Sequence, residues 1–250
     1  MTTALSSPHT SLDVSPIRLE DPLPSFAWPS LANEYDKYCE RFSSSSPYLA
    51  RISPNPHSDR DLYRILLNRF AEEIASENGL TFDTYLAMLY WKLYSQGAAI
   101  ANTCKVLVEN SQEKGCALVG LRQLSSRLRS VSTERLEDVV DLIQDDRLYC
   151  FRGMKSKDAF PVRTTFLHFA RPEEVPIFDK QVLLAIGIAE RHANHDVRYL
   201  RAYIPHARSL TKEHAQMLPN IGPEKALRLI DMALWVIRGK RRKETNRCRI

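Results

Sequence analysis

The sequence has little of what would mark most function classes. Only eight of its 250 residues are glycine, and none forms a glycine-rich phosphate loop. The five cysteines, Cys39, Cys104, Cys116, Cys150 and Cys248, are odd in number and scattered. No pair has zinc-knuckle spacing and no four-cysteine iron–sulfur pattern occurs, so they read as reduced thiols filling a core. His192 and His195 lack an obvious cysteine or acidic co-ligand, so no metal site and no cofactor are expected. No run of 18 apolar residues occurs, so no membrane-spanning helix is expected. The first thirty residues have no basic stretch followed by an apolar block, so they do not read as a secretory signal. An intracellular protein is therefore expected, cytoplasmic, or nuclear in a eukaryote, and monomeric. No segment alternates as a strand does, and no internal repeat appears.

Helical periodicity, by contrast, is present along most of the chain. Eight of the fourteen prolines lie before residue 57, where they lack amide donors and block helix propagation. Residues 1–57 are thus expected to form a partly disordered arm, with Phe26 and Trp28 as points of attachment and a short helix over 31–42. The ordered domain, 58–238, opens with a capping pattern at Ser58. Leu62, Ile65, Leu66, Phe70 and Ile74 follow at helical spacing, and Asn78-Gly79 ends that helix. Thr81 opens a second helix that is apolar on most sides and therefore central. Further helices are expected over 98–108, 118–129, 134–144, 161–170 and 179–191, with a short one after Asp196 and a long one over 223–238. The fold class is all-α, a compact multi-helix domain.

The net charge of +5 is uneven. Seven basic residues and one acid fall between Arg238 and Ile250, a local +6 that leaves −1 for the rest. The cluster Arg238, Lys240, Arg241, Arg242 and Lys243 suits a phosphate backbone, where it would release counterions without reading sequence. It equally suits a targeting signal or a solvated terminus. Residues 239–250 are read as a basic tail.

Two stretches carry possible chemistry. Residues 218–226 read Leu-Pro-Asn-Ile-Gly-Pro-Glu-Lys-Ala. A tight turn ahead of a helix exposes consecutive amides which, with the helix dipole, bind phosphate. Gly222 would permit close approach, Asn220 and Ile221 would present amides, and Lys225 would add charge. An ordinary joint between helices is the plain alternative. Residues 166–182 place a helix, a proline loop and then Pro176-Ile177-Phe178-Asp179, with Val182 following. Asp179 is either a helix cap or an anion positioned near developing positive charge.

Together with Ser95-Gln96-Gly97 and its small neighbours, these stretches resemble the helix-hairpin-helix DNA glycosylase superfamily. The resemblance covers the helix order over about residues 62–238, but only three short stretches as motifs. It implies DNA as partner and Asp179 as the catalytic residue. A damaged base would be extruded and its N-glycosidic bond hydrolysed by a monofunctional route. Asn220, Ile221, Gly222 and Lys225, with Arg238, Lys240, Arg241, Arg242 and Lys243, would hold the phosphates. The hairpin here follows Asp179, whereas in the family it precedes the aspartate. Lys155 and Lys157 miss the spacing of the family's lysine nucleophile. A non-catalytic nucleic-acid-binding or protein-interaction module on the same scaffold is the competing reading.

Overall fold

The computed structural model describes residues 17–156, 159–222 and 224–247, with side chains to residue 240. The fold is all-helical, and no strand occurs among the described residues. In chain order the α-helices are α1 (Leu31–Asp36), α2 (Asp59–Ala75), α3 (Phe82–Leu93), α4 (Gly97–Ile100), α5 (Val106–Glu109), α6 (Ser111–Ser130), α7 (Leu136–Gln144), α8 (Phe160–Ala170), α9 (Lys180–Ala185), α10 (Val197–Glu213) and α11 (Ala226–Arg247). A wide π turn, Ala101–Lys105, joins α4 to α5.

The centre is α3. Ten of its twelve residues are buried, and it packs against α2, α6 and α8. Each large apolar side chain removed from water contributes about 1.5–3 kcal/mol, so this helix anchors the core. Ser58 caps α2 by accepting from the Asp61 amide at 3.1 Å, and Thr81 caps α3 by accepting from Thr84 at 3.3 Å. Gly79 takes φ +68 between them, and a Cβ there would stand 2.8 Å from that of Ser125. The turn is thus closed against α6, whose Ser125 hydroxyl accepts from the Leu80 amide at 2.9 Å.

Several elements differ from the sequence reading. Helix α1 stops at Asp36 rather than reaching residue 42. From residue 17 the N-terminal segment packs on the domain, with Leu23, Trp28, Leu31, Tyr35, Leu49 and Ile52 buried. Residues 1–16 lie outside the described residues. Helix α6 starts at Ser111 because the Asn110 side chain accepts from Gln112 and Glu113. Helix α9 ends at Ala185, not 191, since the chain turns through Gly187 at φ +91. Helix α10, expected to be short, runs seventeen residues through Pro205. Pro205 is on the exposed side of the helix, where its ring faces solvent. Helix α11 starts at Ala226 and continues to Arg247, so the basic segment is helical over 239–247.

Candidate functional site

Asp179 sits where α9 begins. Buried Ile177 and Phe178 fix the strand of chain before it. Its backbone is extended (φ −153, ψ 158), as a cap requires. Oδ1 accepts from the Gln181 amide at 2.6 Å and the Val182 amide at 3.4 Å. Oδ2 accepts from Lys92 Nζ at 2.9 Å. Lys92 comes from the last turn of α3, and the two side chains are only 8% and 12% exposed. Both carboxylate oxygens of Asp179 are therefore engaged. Two grooves among the described residues, about 720 and 230 Å³, do not include Asp179 in their linings.

Behind this pair lies a buried charged network centred on Arg228 of α11. Its guanidinium bonds the Asp231 carboxylate and donates to the Tyr35 hydroxyl at 2.6 Å. That hydroxyl in turn donates to Asp59 at 3.1 Å. The guanidinium carbon stands 4.9 Å from the ring centres of Tyr35, Tyr63 and Trp91. An aromatic cage of this kind holds a weakly hydrated cation well. Burial pushes the Asp231 carboxyl up to about 6, and the nearby Asp179 charge acts in the same direction, against Arg228 and Lys92. Burial likewise raises Asp59. His168 is wholly buried on α8; its Nδ1–H donates to the Val175 carbonyl at 2.7 Å, and Nε2 accepts from the Tyr63 hydroxyl at 2.8 Å. Burial, with Arg228 and Lys92 nearby, pushes it down to about 3, so it is neutral.

The turn at 218–225 is built differently. Gly222 has φ +111, and a Cβ there would meet Arg64 and Glu224 within 3 Å. Arg60 and Arg64 of α2 both donate to the Ile221 carbonyl, at 3.0 and 3.1 Å. The fully buried Glu224 carboxylate bridges the same arginines at 3.1 and 3.4 Å. None of the Asn220, Ile221 or Gly222 amides donates a hydrogen bond among the described residues. Lys225 is exposed and pairs with Glu173 at 2.7 Å. Pro223 lies outside the described residues.

At the far end of α11, Lys240 pairs with Glu34 at 3.4 Å and Arg238 is half-buried. Gly239 is pressed against the Tyr38 ring. Arg241, Arg242 and Lys243 continue the helix, and their side chains lie outside the described residues. From Ala226 to Arg241 the helix rises about 22 Å at 1.5 Å per residue. The turn and the basic segment are therefore opposite ends of one rod, not a single patch.

Sequence reasoning missed Lys92, Arg228, Asp231, Arg60 and Arg64. One signal was available. Arg228 and Asp231 stand three apart in the otherwise apolar stretch Leu227-Arg228-Leu229-Ile230-Asp231-Met232-Ala233-Leu234, and such a pair inside a buried helix face must be matched. Lys92, at the end of apolar α3, carries the same kind of signal.

Comparison with protein-family models, curated proteins and solved structures finds no match to this chain. The residues themselves carry the functional argument.

Proposed function

We propose that the protein binds nucleic acid, DNA in the first instance, by gripping phosphate at the turn between α10 and α11. The observation that carries this reading is the orientation of the turn. A trans peptide points its carbonyl and the next amide in opposite directions. Arg60 and Arg64 draw the Ile221 carbonyl inward, so the Gly222 amide points away from α2, at an exposed residue. Unpartnered amides at a positive-φ glycine ahead of a long helix form an anion-binding concavity. Glu224 neutralises part of the arginine charge behind the turn, so the amides and the helix dipole, rather than net charge, supply the attraction. A duplex touching both the turn and the basic end of α11 would have to span about 22 Å, or six to seven base pairs at about 3.4 Å each, across the elements that cover the buried middle of that helix.

Base release at Asp179, the glycosylase reading, is the second proposal. The Asp179–Lys92 pair favours it. An anion held by two amides beside an ammonium group already stabilises positive charge at that point, the task it would perform for a sugar cation. Because the carboxylate is nearly buried and paired, this chemistry requires Lys92 to swing away as a base enters.

Both proposals are tested on one panel of duplexes containing uracil, 8-oxoguanine, alkylated purines or normal bases, measuring binding against salt and base release. Gly222→Ala is expected to weaken binding at least about tenfold, a loss of 1.4 kcal/mol, with its fold checked by circular dichroism. Unchanged affinity in a folded Gly222→Ala protein would refute the phosphate grip. Base release by wild type that Asp179→Asn abolishes while binding persists would support the enzyme reading. Salt-sensitive binding without release would leave a non-catalytic binding module.

A further inference from the structure

One groove lies on neither of these features. It has a volume of about 720 Å³ and runs between the start of α8 and the segment that leads into α10. That size falls within the range of small-molecule sites.

One wall is rigid. Arg163 of α8 is 1% exposed and donates to the Met154 carbonyl at 3.0 Å, the Ile143 carbonyl at 2.7 Å and Asp146 at 2.7 Å. Its guanidinium carbon stacks 4.3 Å from the Tyr149 ring centre. A side chain held this way cannot collapse into the space beside it. Phe160, one turn before, and Tyr199 of α10 add aromatic surface to the lining.

The charges of the lining are sorted. Asp146 is matched by Arg163. Asp196 caps α10 through the Arg198 amide at 2.8 Å and is matched by the Arg198 side chain at 2.6 Å, which holds its carboxyl below the usual range. Glu190 lies near the Tyr199 hydroxyl. Two exposed nitrogen donors of the lining, Arg191 and His192, make no ion pair among the described residues. The lining thus offers aromatic faces, hydrogen-bonding groups for a ring edge at Gln144 and Glu190, and an unmatched arginine beside a histidine. These are the requirements of a flat heteroaromatic ring carrying a compact anion.

We propose that this groove binds a mononucleotide unit, its base against Phe160 and Tyr199 and its phosphate on Arg191 and His192. The unit is either a free nucleoside monophosphate or the phosphorylated end of a strand. The site is separate from the turn at Gly222, and it stands or falls independently of the phosphate grip proposed there.

The test is calorimetric titration of the full chain with AMP, adenosine, inorganic phosphate, a 5′-phosphorylated trinucleotide and an acidic peptide. AMP is expected to bind saturably and at least about tenfold more tightly than adenosine or phosphate. Arg191→Gln, at an exposed residue, and Tyr199→Leu, at a half-buried one whose fold is checked by circular dichroism, are each expected to weaken AMP at least about tenfold. Gly222→Ala is expected to leave AMP binding unchanged while weakening duplex binding, which separates the two sites. A trinucleotide that binds more tightly than AMP identifies a strand end as the natural ligand, and equal affinity identifies the free nucleotide. Absence of saturable AMP binding, phosphate or the acidic peptide binding as tightly as AMP, or full AMP affinity in Arg191→Gln would overturn the proposal.

Discussion

His168 and Asp231 should pull the acid stability of this protein in opposite directions. His168 moves from an ordinary value of 6.5 to about 3 on folding. The unfolded chain therefore takes up the proton first. The stability that neutral His168 supports is full above pH 6.5 and is lost as pH falls towards 3. Between pH 7 and pH 5 that loss comes to about 2 kcal/mol. Asp231 moves the other way, from 3.8 to about 6. Here the folded chain takes up the proton first, so stability is gained as pH falls through 6 and withheld above it. Over the same interval the gain is about 1 kcal/mol. His168→Gln keeps one donor and one acceptor on the side chain for Val175 and Tyr63 but removes the titration. Urea unfolding followed by tryptophan fluorescence at pH 7 and pH 5 reads the difference. The change in stability on acidification should be more favourable than wild type by about 2 kcal/mol in His168→Gln, and less favourable by about 1 kcal/mol in Asp231→Asn. Asp59, raised by burial, shifts all three proteins alike. Identical pH responses in wild type and both variants would refute the assignment of these two buried groups.

Two further substitutions probe the packing around the site. Asp179→Asn strands the Lys92 ammonium in a nearly buried position and should destabilise by about 3 kcal/mol, with Lys92→Met added to Asp179→Asn recovering more than half; a loss below about 0.5 kcal/mol in the single variant would show that the pair does not hold the fold. Gly120→Ala places a Cβ 2.2 Å from the Phe151 ring, which fills the fully buried space between α6 and the 145–155 loop, and overpacking there should cost about 1–3 kcal/mol in thermal or urea unfolding.

The all-helical character and the order of the main helices were legible because the apolar spacing of α2, α3 and α7 is local information, and so are the side chains of Ser58 and Thr81 that cap α2 and α3. Lengths were less legible. Asn110 opened α6 seven residues ahead of the apolar pattern, and Pro205 proved compatible with a long helix because it faces solvent. The site was legible only as separate pieces. Asp179 could be read as a cap from Pro176-Ile177-Phe178-Asp179, but its partner Lys92 lies 87 residues away. Arg60 and Arg64 stand far along the chain from the turn they orient, 161 and 157 residues from Ile221. Contacts of that separation are set by how helices pack, which no local pattern encodes.

The two proposals for nucleic acid make different energetic demands. Gripping phosphate at Gly222 uses a surface that is already formed, so it needs no rearrangement. Base release requires that Asp179 and Lys92 separate, which by the magnitude for a broken buried pair costs about 3 kcal/mol. Non-specific phosphate binding in the range of about 10⁻⁴ to 10⁻⁶ M corresponds to about 5–8 kcal/mol, enough to offset that separation if binding and opening are coupled. The coupling has a physical route. Arg228 and Asp231 lie within the first two turns of α11, the helix that follows the Gly222 turn, and the charges of Asp179 and Lys92 both act on Asp231. An active enzyme would therefore show a Lys92 whose solvent access rises when duplex is bound, whereas a binding module would keep it paired, and amine-reactive labelling of Lys92 with and without duplex distinguishes the two.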